Sequence, residues 1–162
     1  MSIATIAFGS NIQPEHHLPL AVKELARLGD LVKISAVYRT PPWGYIPQPY
    51  FLNGALWLET PLPPVALMEC LLAIEQQLGR VRTLPCGPRT LDLDLVFHGN
   101  HKMSSPRLTL PHPRWKERPF VLVPLADLFL QTPPPGESQS VTFFLSQLDV
   151  SGIQKVGLSL IP

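Results

Sequence analysis

Twenty of the 162 residues are proline. Proline lacks a backbone N–H and fixes φ, so it is excluded from most helix interiors and from central strands. The prolines therefore mark where regular structure stops, and the stretches between them have readable periods. Thr5 to Phe8 is a short apolar strand broken by Gly9-Ser10-Asn11. Leu18, Val22, Leu25 and Leu28 fall at helical spacing and predict a helix from Leu18 to Leu28, with Gly29 as its stop and Pro14 and Pro19 before or within its first turn. Val32 to Tyr38 and Phe51 to Thr60 read as strands on either side of a proline-rich loop, Thr40 to Pro49. Pro61, Pro63 and Pro64 lead into a second helix whose apolar face is Leu67, Met68, Leu71, Leu72 and Leu78, and Gly79 ends it. A basic loop from Arg80 to Arg89 leads to a fourth strand, Leu91 to Phe97.

Beyond that strand the chain reads as irregular through Pro106, Pro111, Pro113 and Pro119. A turn at Pro133-Pro134-Pro135-Gly136 follows, then a short helix from Val141 to Leu148 capped by Ser140. The order strand, helix, strand, strand, helix, strand predicts an α+β fold, a ferredoxin-like βαββαβ sandwich with an antiparallel sheet. The length and the lack of repeats predict one domain, residues 1–162.

The charge narrows the choice of partner. A net charge of +1 argues against a general nucleic-acid binder. Eight of the thirteen Lys and Arg nevertheless lie between Arg80 and Arg118, against the three acids Asp92, Asp94 and Glu117. Such a concentration suits a compact polyanion. No apolar stretch approaches the run of about 20 residues that crosses a bilayer, so no membrane partner is expected. Ile3 to Phe8 has no basic residues before it and reads as a strand, not a signal peptide. Cys70 and Cys86 lack paired spacing, which argues against zinc or disulfides and for a cytoplasmic location.

Gly87-Pro88-Arg89-Thr90-Leu91-Asp92-Leu93-Asp94 is the most informative stretch. Residues two apart on a strand share a face, so Asp92 and Asp94 project together while Leu91, Leu93 and Leu95 face the core. Two carboxylates so placed can bridge magnesium ions against phosphates, and the neighbouring arginines supply the cations that phosphoryl transfer needs. Taken alone, Asp-x-Asp is more often the wet side of an ordinary strand.

These residues resemble the signature of the 6-hydroxymethyl-7,8-dihydropterin pyrophosphokinases. Phe8-Gly9-Ser10-Asn11, Tyr38-Arg39-Thr40-Pro41-Pro42, Phe51-Leu52-Asn53, Gly79-Arg80-Val81-Arg82 and Arg107-Leu108-Thr109-Leu110-Pro111-His112 resemble that family too, in its order and spacing. The resemblance implies a ferredoxin-like enzyme that moves diphosphate from ATP to the pterin's hydroxymethyl group in folate synthesis. It implies that Asp92 and Asp94 hold two magnesium ions against ATP. Arg80, Arg82 and Arg89 would act on the transferred group, with Glu75, Arg107, Thr109, His112 and Arg118 around the nucleotide. Thr40, Pro41, Trp43, Phe51, Asn53 and Phe120 would hold the pterin, whose ring would lie between Phe51 and Phe120. The expected partners are these two small molecules, and the expected state is a monomer.

Two other classes fit parts of the sequence. An RNA-binding module shares the element order, but no strand carries the aromatic stacking pattern it needs. A non-catalytic pterin or nucleotide sensor would have no reason to keep both aspartates and Arg89. The chain departs from the family pattern at Pro85 and Cys86, where many relatives carry a basic residue followed by tryptophan. Cys86 is expected to be a reactive thiol among arginines, and Cys70 a half-buried, slowly reacting one.

Overall fold

The computed structural model describes residues 1–42, 47–79 and 88–160. The strands are β1 (Ser2–Ser10), β2 (Asp30–Ile34), β3 (Val37–Thr40), β4 (Phe51–Thr60), β5 (Asp92–His98), β6 (Met103–Ser104), β7 (Thr109–Leu110) and β8 (Gln154–Val156). The helices are α1 (Pro14–Leu25), α2 (Pro64–Gln77), α3 (Pro119–Phe129) and α4 (Val141–Leu145), with a 3-10 turn at Trp115–Glu117. The main sheet runs β5-β1-β4-β3-β8, with β2 also paired to β4, and every pairing in it is antiparallel. β6 and β7 form a separate two-stranded ladder.

Alternation along the strands gives the sheet two apolar faces. Ile6, Phe8, Leu56, Leu58, Leu93 and Leu95 pack with Leu18, Val22 and Leu25 of α1 and Leu67, Leu71 and Ile74 of α2. Ala7, Ala55 and Phe97 pack with Trp115 and with Leu122, Leu125 and Leu128 of α3. The sheet is thus covered by helices on both sides.

Several expectations are corrected. The strand expected over 32–38 is two strands, broken at Ser35-Ala36. There the Ser35 hydroxyl accepts from the Ala55 N–H and donates to the Ala36 carbonyl, while the Ala36 N–H donates to Asp127 Oδ2 of α3. Side chains have replaced ladder bonds, and the strand breaks there. The first helix begins at Pro14, four residues earlier than expected, so Pro19 lies inside it rather than in its first turn. The segment expected to be irregular contains α3, which starts on Pro119 and carries Pro124 within. α4 stops at Leu145, and Ser140 stands at its N-cap without a side-chain cap bond, its hydroxyl facing that of Thr142. Gly79 does end α2, at φ +85, a conformation glycine adopts without strain.

α3 is the principal cover of the second face, and Leu122 within it is fully buried. Leu122→Ala is expected to destabilise the protein by about 2–5 kcal/mol through lost burial and a residual cavity. Urea denaturation of the variant and the parent measures the difference.

Candidate functional site

The site is built on one row across the sheet. Gly9 of β1 pairs with Asn53 of β4 on one side and with Asp92 of β5 on the other. Tyr38 of β3 continues the row beyond Asn53, and Thr40 pairs with Phe51 two residues along, on the same face. Directly opposed residues share a face, so Asn53 and Asp92 stand about two strand spacings apart, roughly 10 Å, with no side chain between them. A Cβ at Gly9 would collide with Asn53 Oδ1. Glycine here keeps the floor open. In the next row Ala7 pairs with Ala55 and Asp94, and these small residues again leave the carboxylate room.

Two concavities meet over this floor. The inner one, open to solvent, spans about 490 Å³ and is lined by Thr40, Pro41, Phe51, Asn53, Arg89, Asp92, Arg118 and Phe120. The outer one, also open to solvent, spans about 900 Å³ between α2, β5 and the segment 105–113. Glu75, Asp92, Asp94, Arg107, Thr109 and His112 line it, with Met68, Leu71 and Leu72 as an apolar wall. Asp92 belongs to both.

Asn53 Nδ2 donates to Thr40 Oγ1 at 2.5 Å, and both side chains are buried. This fixes the Asn53 amide so that its carbonyl oxygen is turned toward Gly9. Arg89 Nη1 donates to Asp92 Oδ2 at 2.8 Å. Arg118 Nη1 lies 3.9 Å from Asp94 Oδ2 and its guanidinium stands 5.8 Å from the Phe120 ring centre. Arg118 Nε is buried with no hydrogen-bond partner among the described residues, and an anion entering the cavity would satisfy it. Burial, then the charge of Asp92, pushes the Asp94 carboxyl up, although Arg118 and Arg89 pull the other way. A hard divalent cation between the carboxylates would relieve this, so the donor set fits magnesium completed by phosphate oxygens. Among the described residues no group of three or more His, Cys, Asp or Glu forms a metal cage by itself.

Burial and the nearby Arg118 lower His112 to about 4, so the ring is neutral at pH 7. Its Nδ1 accepts from the Arg114 N–H, which leaves Nε2 as the protonated nitrogen. Glu75, expected at a nucleotide's ribose and equally readable as a wet helix position, is buried, and its Oε2 accepts from the Leu93 N–H at 2.7 Å. That bond braces α2 against β5 between the two aspartates. Arg107 is exposed and paired with Glu69 of α2. Trp43, Arg80, Arg82 and Cys86 lie outside the described residues. Cys70 is half-buried on α2.

Sequence reading assigned no role to Asn11, which joins three segments. Its N–H donates to the Arg89 carbonyl and its Oδ1 accepts from the Arg89 N–H. Its Nδ2 donates to Gln48 Oε1 and to the Pro49 carbonyl. Asn11 thus ties the arginine beside Asp92 to the chain entering Phe51. The only signal was its position in Gly9-Ser10-Asn11, where asparagine reads as an ordinary turn residue.

The family described as 7,8-dihydro-6-hydroxymethylpterin-pyrophosphokinase matches residues 5–130. A 2-amino-4-hydroxy-6-hydroxymethyldihydropteridine pyrophosphokinase of Synechocystis sp. is 39% identical over 97% of this chain and 82% of its own length. One from Methylorubrum extorquens is 43% identical over 96% of this chain and 99% of its own. Among solved structures, wild-type Plasmodium falciparum HPPK-DHPS is similar in fold, with a TM-score of 0.66 at 15% identity. The match covers 91% of this chain and 43% of that one, so this chain spans less than half of the solved polypeptide.

Two outcomes follow from this geometry. Because the folded-state pKa of Asp94 is raised, its ionisation opposes folding: the benefit is whole below the unfolded value near 3.8 and is lost as pH rises through the raised value. Asp94→Asn should therefore raise the melting midpoint of the ligand-free protein at pH 7, by about 2–4 °C if about 1 kcal/mol is relieved, and the gain should vanish near pH 4. Calorimetry at the two pH values measures it. Asn11→Ala should cost about 1–3 kcal/mol by stranding buried polar groups, measured by urea denaturation.

Proposed function

Because the chain belongs to the 7,8-dihydro-6-hydroxymethylpterin-pyrophosphokinase family, we infer that its two meeting concavities bind the two substrates of that reaction. The enzyme transfers diphosphate from ATP to 6-hydroxymethyl-7,8-dihydropterin, giving the pterin diphosphate and AMP, in folate synthesis. The observation that carries the assignment of the cavities is Asp92, which lines both and so stands where the two substrates meet.

The inner cavity takes the pterin. The fixed Asn53 amide offers a donor and an acceptor to the ring's mixed polar edge, beside Thr40 and Pro41. Phe51 and Phe120 supply aromatic faces for a flat bicycle, with Trp43 as a further contact. The outer cleft takes ATP, with its apolar wall for the base and Arg107, Thr109, His112 and Glu75 around the sugar and phosphates. Asp92 and Asp94 would hold two magnesium ions, which when bound neutralise the phosphates and align the attacking oxygen with the β-phosphorus. Arg89 and Arg118 face the point of transfer from either side, and Arg80 and Arg82 are assigned to the same charge. These cations stabilise the charge that spreads over the moving group. His112, held neutral, donates a hydrogen bond to phosphate without adding positive charge.

The strand order supports a ferredoxin-like sandwich in which β2 and β3 share one strand's place and α3, α4 and β8 are additions. The single core on each sheet face supports one domain, residues 1–162. No helix among the described residues is long and apolar enough to cross a membrane. We place the enzyme in the cytoplasm as a monomer.

The test is turnover with ATP, magnesium and the dihydropterin. Asp92→Asn should lose at least about 100-fold in kcat, the scale of losing one transition-state stabilising group, with an unchanged circular dichroism spectrum. Near-normal turnover would remove Asp92 from the role. Phe51→Ala and Phe120→Ala should each weaken pterin binding by about 1–3 kcal/mol, by analogy with base stacking. ATP affinity should stay unchanged, with both measured by calorimetry.

A further inference from the structure

We propose that Arg39 is a positioning residue for the pterin cavity, held in place by the C-terminal strand β8. The inference rests on the substrate assignment above. β8 adds to the outer edge of β3, with Arg39 opposite Gln154, Tyr38 opposite Lys155 and Val37 opposite Val156. The segment is anchored, not pendant: Leu160 is buried in the core under α1 and α2, and Val156 and Leu158 pack against that core.

From this anchored strand Gln154 Oε1 accepts from Arg39 Nη2 at 3.3 Å. The same guanidinium stands 5.1 Å from the ring centre of Tyr50. Arg39 immediately precedes Thr40 and Pro41, and Tyr50 immediately precedes Phe51, so one cation ties together the two chain ends that line the cavity. The turn before β8 faces the same end: a Cβ added at Gly152, which has φ +84, would lie 3.6 Å from Pro41 Cγ. Neither Arg39 nor Tyr50 lines the cavity, and both are exposed. Their contact therefore adds little to global stability, yet it sets where Pro41 and Phe51 stand relative to one another.

Calorimetry tests this with the wild type, Arg39→Ala, Arg39→Lys and Gln154→Ala. The dihydropterin is titrated into protein saturated with magnesium and a non-hydrolysable ATP analogue. The analogue is titrated separately, and melting midpoints are recorded. Loss of an exposed cation–aromatic contact predicts a pterin Kd raised about 2- to 5-fold in Arg39→Ala, with analogue Kd and midpoint unchanged. Arg39→Lys should recover part of the loss because its ammonium can still reach Tyr50, and Gln154→Ala should shift in the same direction as Arg39→Ala. An unchanged pterin Kd in Arg39→Ala overturns the proposal, as does a parallel fall of both affinities with the midpoint. A wild type that binds the analogue and not the pterin overturns the substrate assignment instead, before any variant is made.

Discussion

The pairing of β1 between β4 and β5 is the constraint on which the rest of the site depends. One central strand fixes, through its ladder bonds on both edges, the distance between an amide that can read a ring and a carboxylate that can hold a cation. Strand spacing is set by backbone hydrogen bonding, so that distance is as stiff as the sheet. Gly9 makes the pairing useful by leaving the gap between them empty. The apolar faces on either side of the sheet, sealed by α1 and α2 and by α3, keep the strand from yielding when a ligand fills the gap.

Charge is arranged around that frame with an imbalance. Asp92 is paired at close range with Arg89, while Asp94 has, among the described residues, a longer contact with Arg118 and is raised by burial and by Asp92. A cation bound beside the second carboxylate would favour its charged form. Arg118 Nε is a buried donor with no partner among the described residues, and a phosphate oxygen could accept from it. Each of these groups would be complementary to part of the phosphates and magnesium proposed above. Asn11 links the two halves, because its side chain joins the Arg89 N–H to Gln48 and to the Pro49 carbonyl.

Much of this was legible in the sequence because it is local. Asp92 and Asp94 share a face by the period of a strand, and Leu91, Leu93 and Leu95 face the core as expected. Phe51 and Asn53 share a face of β4 by the same period. What escaped was settled by distant partners. The break at Ser35-Ala36 depends on a hydroxyl in register with Ala55 and on Asp127, far along the chain. α3 was hidden because its two prolines read as breakers, although Pro119 opens the helix and Leu122, Leu125, Leu128 and Phe129 have helical spacing. β8 is too short to declare itself and exists because the edge of β3 was open to it. Glu75 and Asn11 look like surface residues in sequence, and both are buried by bonds to backbone groups that only the fold brings near.

The central claim is that attack occurs at the β-phosphorus, at the junction where Asp92 lines both cavities. Phosphorus NMR of a reaction containing ATP, magnesium and the dihydropterin reads this directly. The account predicts AMP in equal amount to a pterin product carrying two coupled phosphorus signals. ADP with a singly phosphorylated pterin would contradict it.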